Sequence, residues 1–243
     1  MAQFENVVDE YDLGRPEHPE AVYDALGDLN GLVVLDVGAG TGIATRELIA
    51  RGGSVVALDA GQAVLRRAAE RTASLPAVVA DGSRLPIQTG SVDLVCFAQS
   101  WHWLDPSTRV AESRRVLRAN GRWAAWWSHA RGDGEPWFDR YWQLIERACD
   151  GTHRGQRDTD WGATVDGDLF EVGDRVTVAW TRDMSIDAWI TDQASHSYVA
   201  ALSEAARVEL LDGLHTAATD YFPGATMQIP YETWLWVAVC ESG

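Results

Sequence analysis

The chain has 243 residues, 46% of them hydrophobic, and can therefore bury a full core as one domain with an elaborated lobe. Its formal net charge is −16, and all 20 of its basic residues are arginine. A field of that sign repels a phosphate backbone, so the composition argues against a nucleic-acid partner.

The chain also lacks the signals that direct a protein into or across a membrane. It contains no run of 18 or more apolar residues, and its N-terminal stretch MAQFENVVDEYD is acidic, without the basic-then-apolar order of a secretion signal. We therefore expect a cytoplasmic protein with no membrane contact. Cys96, Cys149 and Cys240 form no CxxC pair and predict buried, reduced thiols with neither a disulfide framework nor a metal site.

Apolar runs alternate with amphipathic stretches between about residues 31 and 127. A helix begun by Pro19 is predicted ahead of them. The predicted strands are 32–37, 54–59, 76–81, 91–99 and 122–128, and the predicted helices lie within 42–53, 60–73 and 108–118. The strands are rich in Val and Leu without polar alternation, as parallel strands buried on both faces are. This alternation predicts a doubly wound α/β sheet.

The remainder of the chain is less regular. We predict a helix over 135–150, a loop over 151–168, a strand over 174–186, helical segments from 186 to 222, and a closing strand over 227–240 that is interrupted at Pro230. The chain has 12 tryptophans, most of which we assign to the core. A surplus of large flat side chains also suits a pocket for a planar or cationic ligand.

The first strand is followed by three glycines at alternate positions, in the stretch VVLDVGAGTG (33–42). The spacing is GxGxG, because Ile43 stands where a dinucleotide fingerprint would need glycine, and no P-loop is present. Asp36 ends the strand, where its charge would repel a pyrophosphate but attract an amine or sulfonium. The loop therefore favours a small cationic ligand over a dinucleotide.

Two further acids end the next predicted strands. Asp59 follows the glycine loop by about 20 residues, where a carboxylate can accept hydrogen bonds from ribose hydroxyls, and Asp81 ends the third strand. Since the carboxyl ends of parallel strands form one crevice, Asp36, Asp59 and Asp81 should converge on one ligand. The alternative for each acid is a helix N-cap or a turn former.

The stretches LDVGAGTG, VVALD and VVADGSRLPIQTGSVDLV resemble the motif series of class I S-adenosylmethionine-dependent methyltransferases, over roughly residues 10–128. The resemblance implies that Asp36 serves the methionine amino group of the cofactor, Asp59 the ribose hydroxyls and Asp81 the adenine amino group. The full set of cofactor-binding residues that it implies is Tyr11, Arg15, Asp36, Gly38, Ala39, Gly40, Gly42, Asp59, Ala60, Asp81, Gly82, Ser83, Ala98 and Gln99.

The same resemblance implies a Rossmann-like, mostly parallel sheet of seven strands with an antiparallel last strand and a helical lid. The expected division of a single domain is a segment covering the cofactor (1–30), the cofactor-binding core (31–130), a variable substrate lid (131–195), and a closing helix and strand (196–243).

The stretch FAQSWHWLDP (97–106) is similar to a small-molecule branch of these enzymes, the methyltransferase domain 11 group that includes trans-aconitate methyltransferase-like proteins. His102 is a candidate catalytic base because histidine titrates near neutral pH, and His129 is a second. The alternative for His102 is a structural role. The expected substrate-binding residues are Trp101, Trp103, Trp137 and Trp142, although we expect at least one of the first two to pack in the core.

The sequence thus predicts an enzyme that transfers a methyl group from S-adenosylmethionine to O or N of a small aromatic or heterocyclic metabolite, as in secondary metabolism. The alternatives are a small carboxylic acid of the aconitate type as acceptor, or a module that binds the cofactor without catalysis. The expected oligomeric state is a monomer or homodimer.

Overall fold

The structure is a computed structural model that describes residues 18–132, 134–149, 159–165, 167–224 and 226–240. Tyr11 and Arg15 lie outside the described residues. The strands are β1 (Val33–Val37), β2 (Ser54–Asp59), β3 (Ala77–Val79), β4 (Val92–Ala98), β5 (Leu117–Ala130), β6 (Phe170–Val172), β7 (Val176–Ser185) and β8 (Thr226–Cys240). The α-helices are α1 (Glu20–Asp24), α2 (Ile43–Ala50), α3 (Gln62–Arg71), α4 (Arg109–Val116), α5 (Pro136–Cys149), α6 (Ile186–Ala194), α7 (Ser197–Ala200) and α8 (Glu204–Tyr221), and 3-10 helices span Trp101–Trp103 and Gly162–Thr164.

The fold is of the α/β class. Its strands form one mixed sheet in the order β3-β2-β1-β4-β5-β8-β6, with β7 paired to β8. The pairs from β3 to β5 are parallel, and β6 pairs with β8 antiparallel. Because β1 lies between β2 and β4, the chain reverses its direction of winding there, as in a doubly wound, Rossmann-like sheet. In sheets of this type, ligands bind beyond the carboxyl ends of the strands at that reversal.

Alternate residues of β1 enter two different apolar clusters, so both faces of the sheet are covered. Leu35 and Val37 pack in a cluster with Val116 of α4, whereas Val34 packs in a cluster with Leu26, just beyond α1, and Leu48 of α2. Burial on both faces explains why these strands are continuously apolar in sequence.

The chain divides into two compact units. Of the described residues, the first unit, which we call the sheet unit, holds 18–128, 160–165, 167–178 and 233–240. The second, the helical unit, holds 129–132, 134–149, 159, 179–224 and 226–232. The helical unit has its own apolar cluster, which includes Trp137, Phe138 and Trp189. Residues 160–165 and 167–178, which lie within the predicted lid of 131–195, belong to the sheet unit, and the division into functional segments stays a prediction.

Within the described residues the sheet has eight strands, one more than the seven predicted. The additional strand is β6, whose three residues are too few for a strand pattern to be visible in sequence. The prediction that Pro230 interrupts the last strand was also wrong, since β8 runs through it. Proline lacks an N–H but keeps a carbonyl, and the Pro230 oxygen accepts a hydrogen bond from the Arg131 backbone N–H (2.7 Å).

Strand β5 begins at Leu117, earlier than the 122 expected from sequence. Its first residues pass through Asn120, whose φ is +58°, and its register against β4 shifts between Val92 and Leu94. The Asn120-Gly121 pair, expected to precede the strand, is therefore an irregularity inside it.

All three cysteines are buried free thiols, as predicted. Among the described residues, no group of three or more metal-ligating side chains is present. None of the described helices is both long enough and apolar enough to cross a bilayer.

Candidate functional site

The loop between β1 and α2 carries the three glycines in left-handed backbone conformations. The φ angles of Gly38, Gly40 and Gly42 are +74°, +55° and +80°. Most other residues would be strained there, because a Cβ atom clashes with the backbone in this region. The Gly38 and Ala39 N–H groups both donate to the Leu58 carbonyl (2.7 and 3.0 Å), which fixes the loop to the end of β2.

Two of these glycines are also required by contacts within the chain. A Cβ atom on Gly38 would lie 2.4 Å from the Cβ of Ser100, and one on Gly42 would lie 3.0 Å from the Cβ of Ala68 in α3. The loop therefore needs glycine at 38 whether or not a ligand is bound, since 2.4 Å is far below a van der Waals contact.

Asp36 is fully buried in β1, on the face of the sheet covered by α2. Its Oδ2 accepts a hydrogen bond from the Thr45 hydroxyl (2.6 Å), whereas its Oδ1 is buried without a hydrogen-bond partner among the described residues. The pKa of Asp36 is raised from 3.8 to about 6, chiefly by burial and to a lesser extent by the nearby Asp59 carboxylate, while the Thr45 hydrogen bond opposes the rise. An unsatisfied buried carboxylate oxygen is costly, and a positively charged group would relieve the cost.

Asp59 ends β2 and is bonded on both oxygens to backbone N–H groups. Its Oδ2 accepts from Gly40 (2.9 Å) and its Oδ1 from Gly61 (2.8 Å). Burial raises the pKa of Asp59, while the N–H groups of Gly61, Gly40 and Ala60 oppose that rise. A carboxylate has about four acceptor positions, so Asp59 can still accept a hydrogen bond from a hydroxyl.

The turn after β3 packs onto the end of β1. Asp81 is exposed, and its Oδ1 accepts from the Ser83 N–H (2.8 Å), as in an Asx turn. A Cβ atom on Gly82 would lie 2.8 Å from Cγ1 of Val37. The Ser83 hydroxyl accepts from the Asp105 N–H (2.8 Å). These contacts bring the ends of β1, β3 and the segment after β4 together.

The segment after β4 approaches the glycine loop through Ser100. Ala98 ends β4, and Gln99 has a φ of +56° with its N–H donated to the Trp126 carbonyl (2.9 Å). The Ser100 hydroxyl donates to the Val37 carbonyl (2.5 Å), directly before Gly38. This left-handed turn aligns the 3-10 helix that follows with the end of β1.

The two tryptophans of that 3-10 helix have different environments. Trp101 is fully buried, with its ring against Phe97 and Trp123 and its indole N–H donated to the Thr164 hydroxyl (2.9 Å). Trp103 is 49% exposed. Trp101 therefore packs in the core, and Trp103 presents its ring at the surface.

His102, between them, lies against aromatic rings. Its ring centroid is 4.7 Å from that of Trp103 and 6.1 Å from that of Trp161. Its Nδ1 accepts a hydrogen bond from the indole N–H of Trp127 (3.1 Å). The orientation of the His102 imidazole is thus defined by a residue of β5.

Three other predicted site residues belong to the helical unit. His129 is partly buried in β5, and Trp142 is partly buried on α5. Trp137 is 6% exposed and packs edge-to-face with Phe138 and Phe222. Trp137 thus packs in the apolar core of the helical unit.

Sequence reasoning did not single out Thr45, Ser100 or Trp127, which bond Asp36, the Val37 carbonyl and His102 respectively. Ser100 could have been suspected, because it lies between two stretches already assigned to the site. Nothing in the sequence around Thr45 or Trp127 marks either residue as part of the site.

Comparison with known proteins shows what this arrangement resembles. A methyltransferase domain family model matches residues 35–125. An uncharacterized methyltransferase of Mycobacterium tuberculosis is 34% identical over 212 residues, which cover 86% of this chain and 82% of that protein.

Solved structures have the same fold. A protein from Anaeromyxobacter dehalogenans assigned as a type II methyltransferase superposes with a TM-score of 0.67 at 24% identity, covering 93% of this chain and 97% of that one. Phosphoethanolamine N-methyltransferase 2 of Haemonchus contortus, solved with S-adenosylhomocysteine bound, superposes with a TM-score of 0.57 at 16% identity, covering 98% of this chain and 58% of that one.

Proposed function

This chain belongs to the methyltransferase domain family and is an S-adenosylmethionine-dependent methyltransferase, and we propose that its acceptor is a small aromatic or heterocyclic metabolite methylated at oxygen or nitrogen. The carboxyl ends of β1, β2 and β4 hold the cofactor in this proposal. The exposed ring of Trp103, in the segment that follows β4, contacts the acceptor.

The residues at the strand ends fit the cofactor. The Oδ1 of Asp36 is a buried acceptor to which no described residue donates a hydrogen bond, as an ammonium group of the cofactor would require, directly or through water. Asp59 is a carboxylate whose two oxygens are oriented by backbone N–H groups and which retains acceptor capacity for a ribose hydroxyl. Both features suit a ligand that carries an amine and a ribose.

In this proposal Asp36 holds the methionine amino group and Asp59 the ribose hydroxyls, while Asp81 and Gly82 lie along the adenine. The backbone at Ala98 and Gln99 supports the methionyl portion. When bound, the cofactor supplies an electrophilic methyl group on a sulfonium. The chain then has to align the nucleophile of the acceptor with that methyl group and keep water out, because orientation supplies much of the acceleration of a displacement reaction.

The observation that carries the acceptor class is the exposure of Trp103. A ring that is 49% exposed, tilted at 43° against His102 with centroids 4.7 Å apart, offers a flat apolar surface in the segment that follows β4. Flat apolar surfaces bind planar ligands by stacking. The net charge of −16 further disfavours polyanionic acceptors.

The test is a methyl-transfer assay with purified protein, cofactor labelled on the methyl group, and separate panels of phenols, N–H heterocycles and small tricarboxylic acids. We expect product only from the first two panels, and none with Asp59→Ala at the same cofactor concentration. Turnover confined to the tricarboxylic acids contradicts the proposed acceptor class. Calorimetric binding of the cofactor without turnover of any compound favours a binding module instead.

A further inference from the structure

We propose that Thr45 is a positioning residue for the amino group of the cofactor. Its hydroxyl holds Oδ2 of Asp36, so that Oδ1 is the carboxylate oxygen that receives the amino group, directly or through water. The inference rests on the proposed function, because it takes Asp36 as the residue that serves that group. It adds which oxygen of Asp36 does so and which residue of α2 makes the choice.

The two side chains are bonded to each other in the interior of the sheet unit. Thr45 is the third residue of α2, which begins directly after the glycine loop, and both Thr45 and Asp36 are fully buried. The Thr45 hydroxyl donates to Oδ2 of Asp36 over 2.6 Å, a length typical of a hydrogen bond to an ionised acceptor. No described residue donates to Oδ1. One oxygen is therefore engaged, and the other keeps its acceptor capacity.

The hydroxyl of Thr45 is donated to the strand and not to its own helix. A threonine within a helix can donate instead to the carbonyl four residues earlier, which here belongs to Thr41. That carbonyl accepts from the guanidinium of Arg46 (3.0 Å). Because threonine has few χ1 rotamers in a helix, a hydroxyl bonded to Asp36 stays directed at it.

The bond matters because the two oxygens of an aspartate carboxylate are chemically equivalent. Their terminal torsion is broad and roughly two-fold, so without a fixed contact the oxygens exchange positions. With Oδ2 bonded to Thr45, the plane of the Asp36 carboxylate is set and Oδ1 is presented in one direction. An acceptor held in one orientation loses less entropy when it binds an ammonium group.

The same bond favours the charged form of Asp36, which an ammonium group requires. The pKa of Asp36 is raised to about 6, chiefly by burial; the Thr45 bond opposes the rise, and the Asp59 carboxylate adds to it. Tyr23 of α1 and Cys96 of β4 also interact with this carboxylate. Burial, and then the Asp36 charge, raise the pKa of both, so both stay neutral. Among the described side chains, Thr45 is therefore the one that stabilises the charge.

The first experiment compares two ligands by isothermal titration calorimetry. They are S-adenosylhomocysteine and its deamino analogue, in which hydrogen replaces the amino group. Thr45→Val keeps the shape of the side chain and removes the hydroxyl. We expect it to bind S-adenosylhomocysteine about tenfold more weakly than the wild type and to bind the analogue with unchanged affinity. Equal loss for both ligands contradicts a positioning role, and unchanged affinity for S-adenosylhomocysteine overturns the proposal.

Three further variants make the comparison specific. Thr45→Ser retains the donor and should stay within about threefold of the wild type for both ligands. Thr72→Val is the matched control, because the Thr72 hydroxyl is also buried but has no hydrogen-bond partner among the described residues, and it should leave both affinities unchanged. Thr45→Ala lacks the hydroxyl and favours the helix, so it supplies the same test should Thr45→Val fail to fold. An undiminished preference for the amino ligand in Thr45→Ala counts against the proposal.

The pH dependence separates positioning from a general loss of structure. The preference of the wild type for S-adenosylhomocysteine over the analogue should fall as the pH drops through about 6, since Asp36 then takes up a proton that the complex must release. Without the Thr45 bond the pKa of Asp36 is higher, so in Thr45→Val the fall should begin at a higher pH. An identical midpoint in the two proteins contradicts the proposal.

Asp36→Asn separates this inference from the proposed function. This variant should lose the preference for the amino ligand by itself. If Asp36→Asn loses it while Thr45→Val and Thr45→Ala keep it, Asp36 serves the amino group and the role of Thr45 is wrong. If the wild type binds both ligands equally well, the assignment of Asp36 to the amino group is wrong, and the role of Thr45 with it.

Discussion

The Oδ2 atom of Asp59 lies 2.9 Å from the backbone nitrogen of Gly40, so the carboxylate that ends β2 is bonded to the glycine loop that follows β1. The residue proposed to bind the ribose therefore also shapes the loop proposed to bind the rest of the cofactor. Loss of this side chain should affect both.

Asp59→Ala should weaken the binding of S-adenosylhomocysteine about 10- to 100-fold, because the ribose hydroxyls and two backbone N–H groups lose a charged acceptor. Isothermal titration calorimetry measures this change. Glu70→Ala, an exposed acid on α3, is the matched control and should leave the affinity unchanged. Full affinity in Asp59→Ala would remove the proposed ribose site.

Gly38→Ala should lower the free energy of unfolding by about 2–4 kcal/mol, through a Cβ clash with Ser100 and a left-handed φ. Gly31→Ala is the control, since Gly31 has nearly the same φ (+75°) but no atom within 4 Å of an added Cβ. Only the conformational part of the cost, about 1 kcal/mol, should appear there. Denaturant unfolding of both variants measures the difference.

The clash itself can be isolated by a double-mutant cycle. Ser100→Gly removes the atom that an alanine at 38 would meet, so the double variant should be more stable than the sum of the single effects implies. Additive effects would show that the loss in Gly38→Ala does not come from Ser100.

Asp36→Asn should make the protein more stable at neutral pH while weakening cofactor binding. The pKa of Asp36 rises from 3.8 to about 6 on folding, because burial disfavours the charge. The folded state therefore binds the proton more tightly, and the stability contributed by the neutral acid is lost as the pH rises from about 4 through 6. The full shift corresponds to about 3 kcal/mol.

Urea unfolding at pH 5 and pH 7.5 tests this sign. The stability gained by Asp36→Asn over the wild type should be larger at pH 7.5 by about 1 kcal/mol, since Asp36 is mostly neutral in the folded state at pH 5. Thr45 can still donate to the amide oxygen of the variant. A gain that does not change with pH would contradict the raised pKa.

Trp103→Ala should change stability by no more than about 1 kcal/mol, because about half of the side chain is already exposed. In the proposed function it should nonetheless raise KM for an aromatic acceptor about tenfold, the equivalent of one stacking contact. Val208→Ala, at an exposed apolar position on α8, is the control for nonspecific effects. Steady-state kinetics at saturating cofactor separate KM from kcat, and an unchanged KM would remove Trp103 from the acceptor surface.

The parallel half of the fold was predictable because its signal is local. Each buried strand is a short apolar run, and the GxGxG loop with acids after successive strands indicated both the family and the cofactor. Strand β6 and the passage of β8 through Pro230 were not predictable. They depend on pairing with distant strands, which can recruit a three-residue segment or tolerate a missing N–H.

Within the site, residue types were easier to predict than their hydrogen bonds. The places of Asp36 in β1, of Asp59 at the end of β2 and of Gly38 in the loop after β1 were predicted from sequence, whereas their roles stay predictions. Nothing local indicated that Ser100 would require glycine at 38, or that an indole from β5 would bond His102. Both relationships join residues that are far apart in sequence, so only the folded chain displays them.

Because all three thiols are buried, the rate at which each one reacts with a thiol reagent measures how often the structure around it opens. Cys149 belongs to the helical unit, whereas Cys96 and Cys240 belong to the sheet unit, and burial raises the pKa of each thiol. A thiol reagent can react only after the surrounding structure separates, so the labelling rate at each cysteine reports how often its own neighbourhood opens. Mass spectrometry of the modified peptides would then show whether the two units unfold on separate timescales.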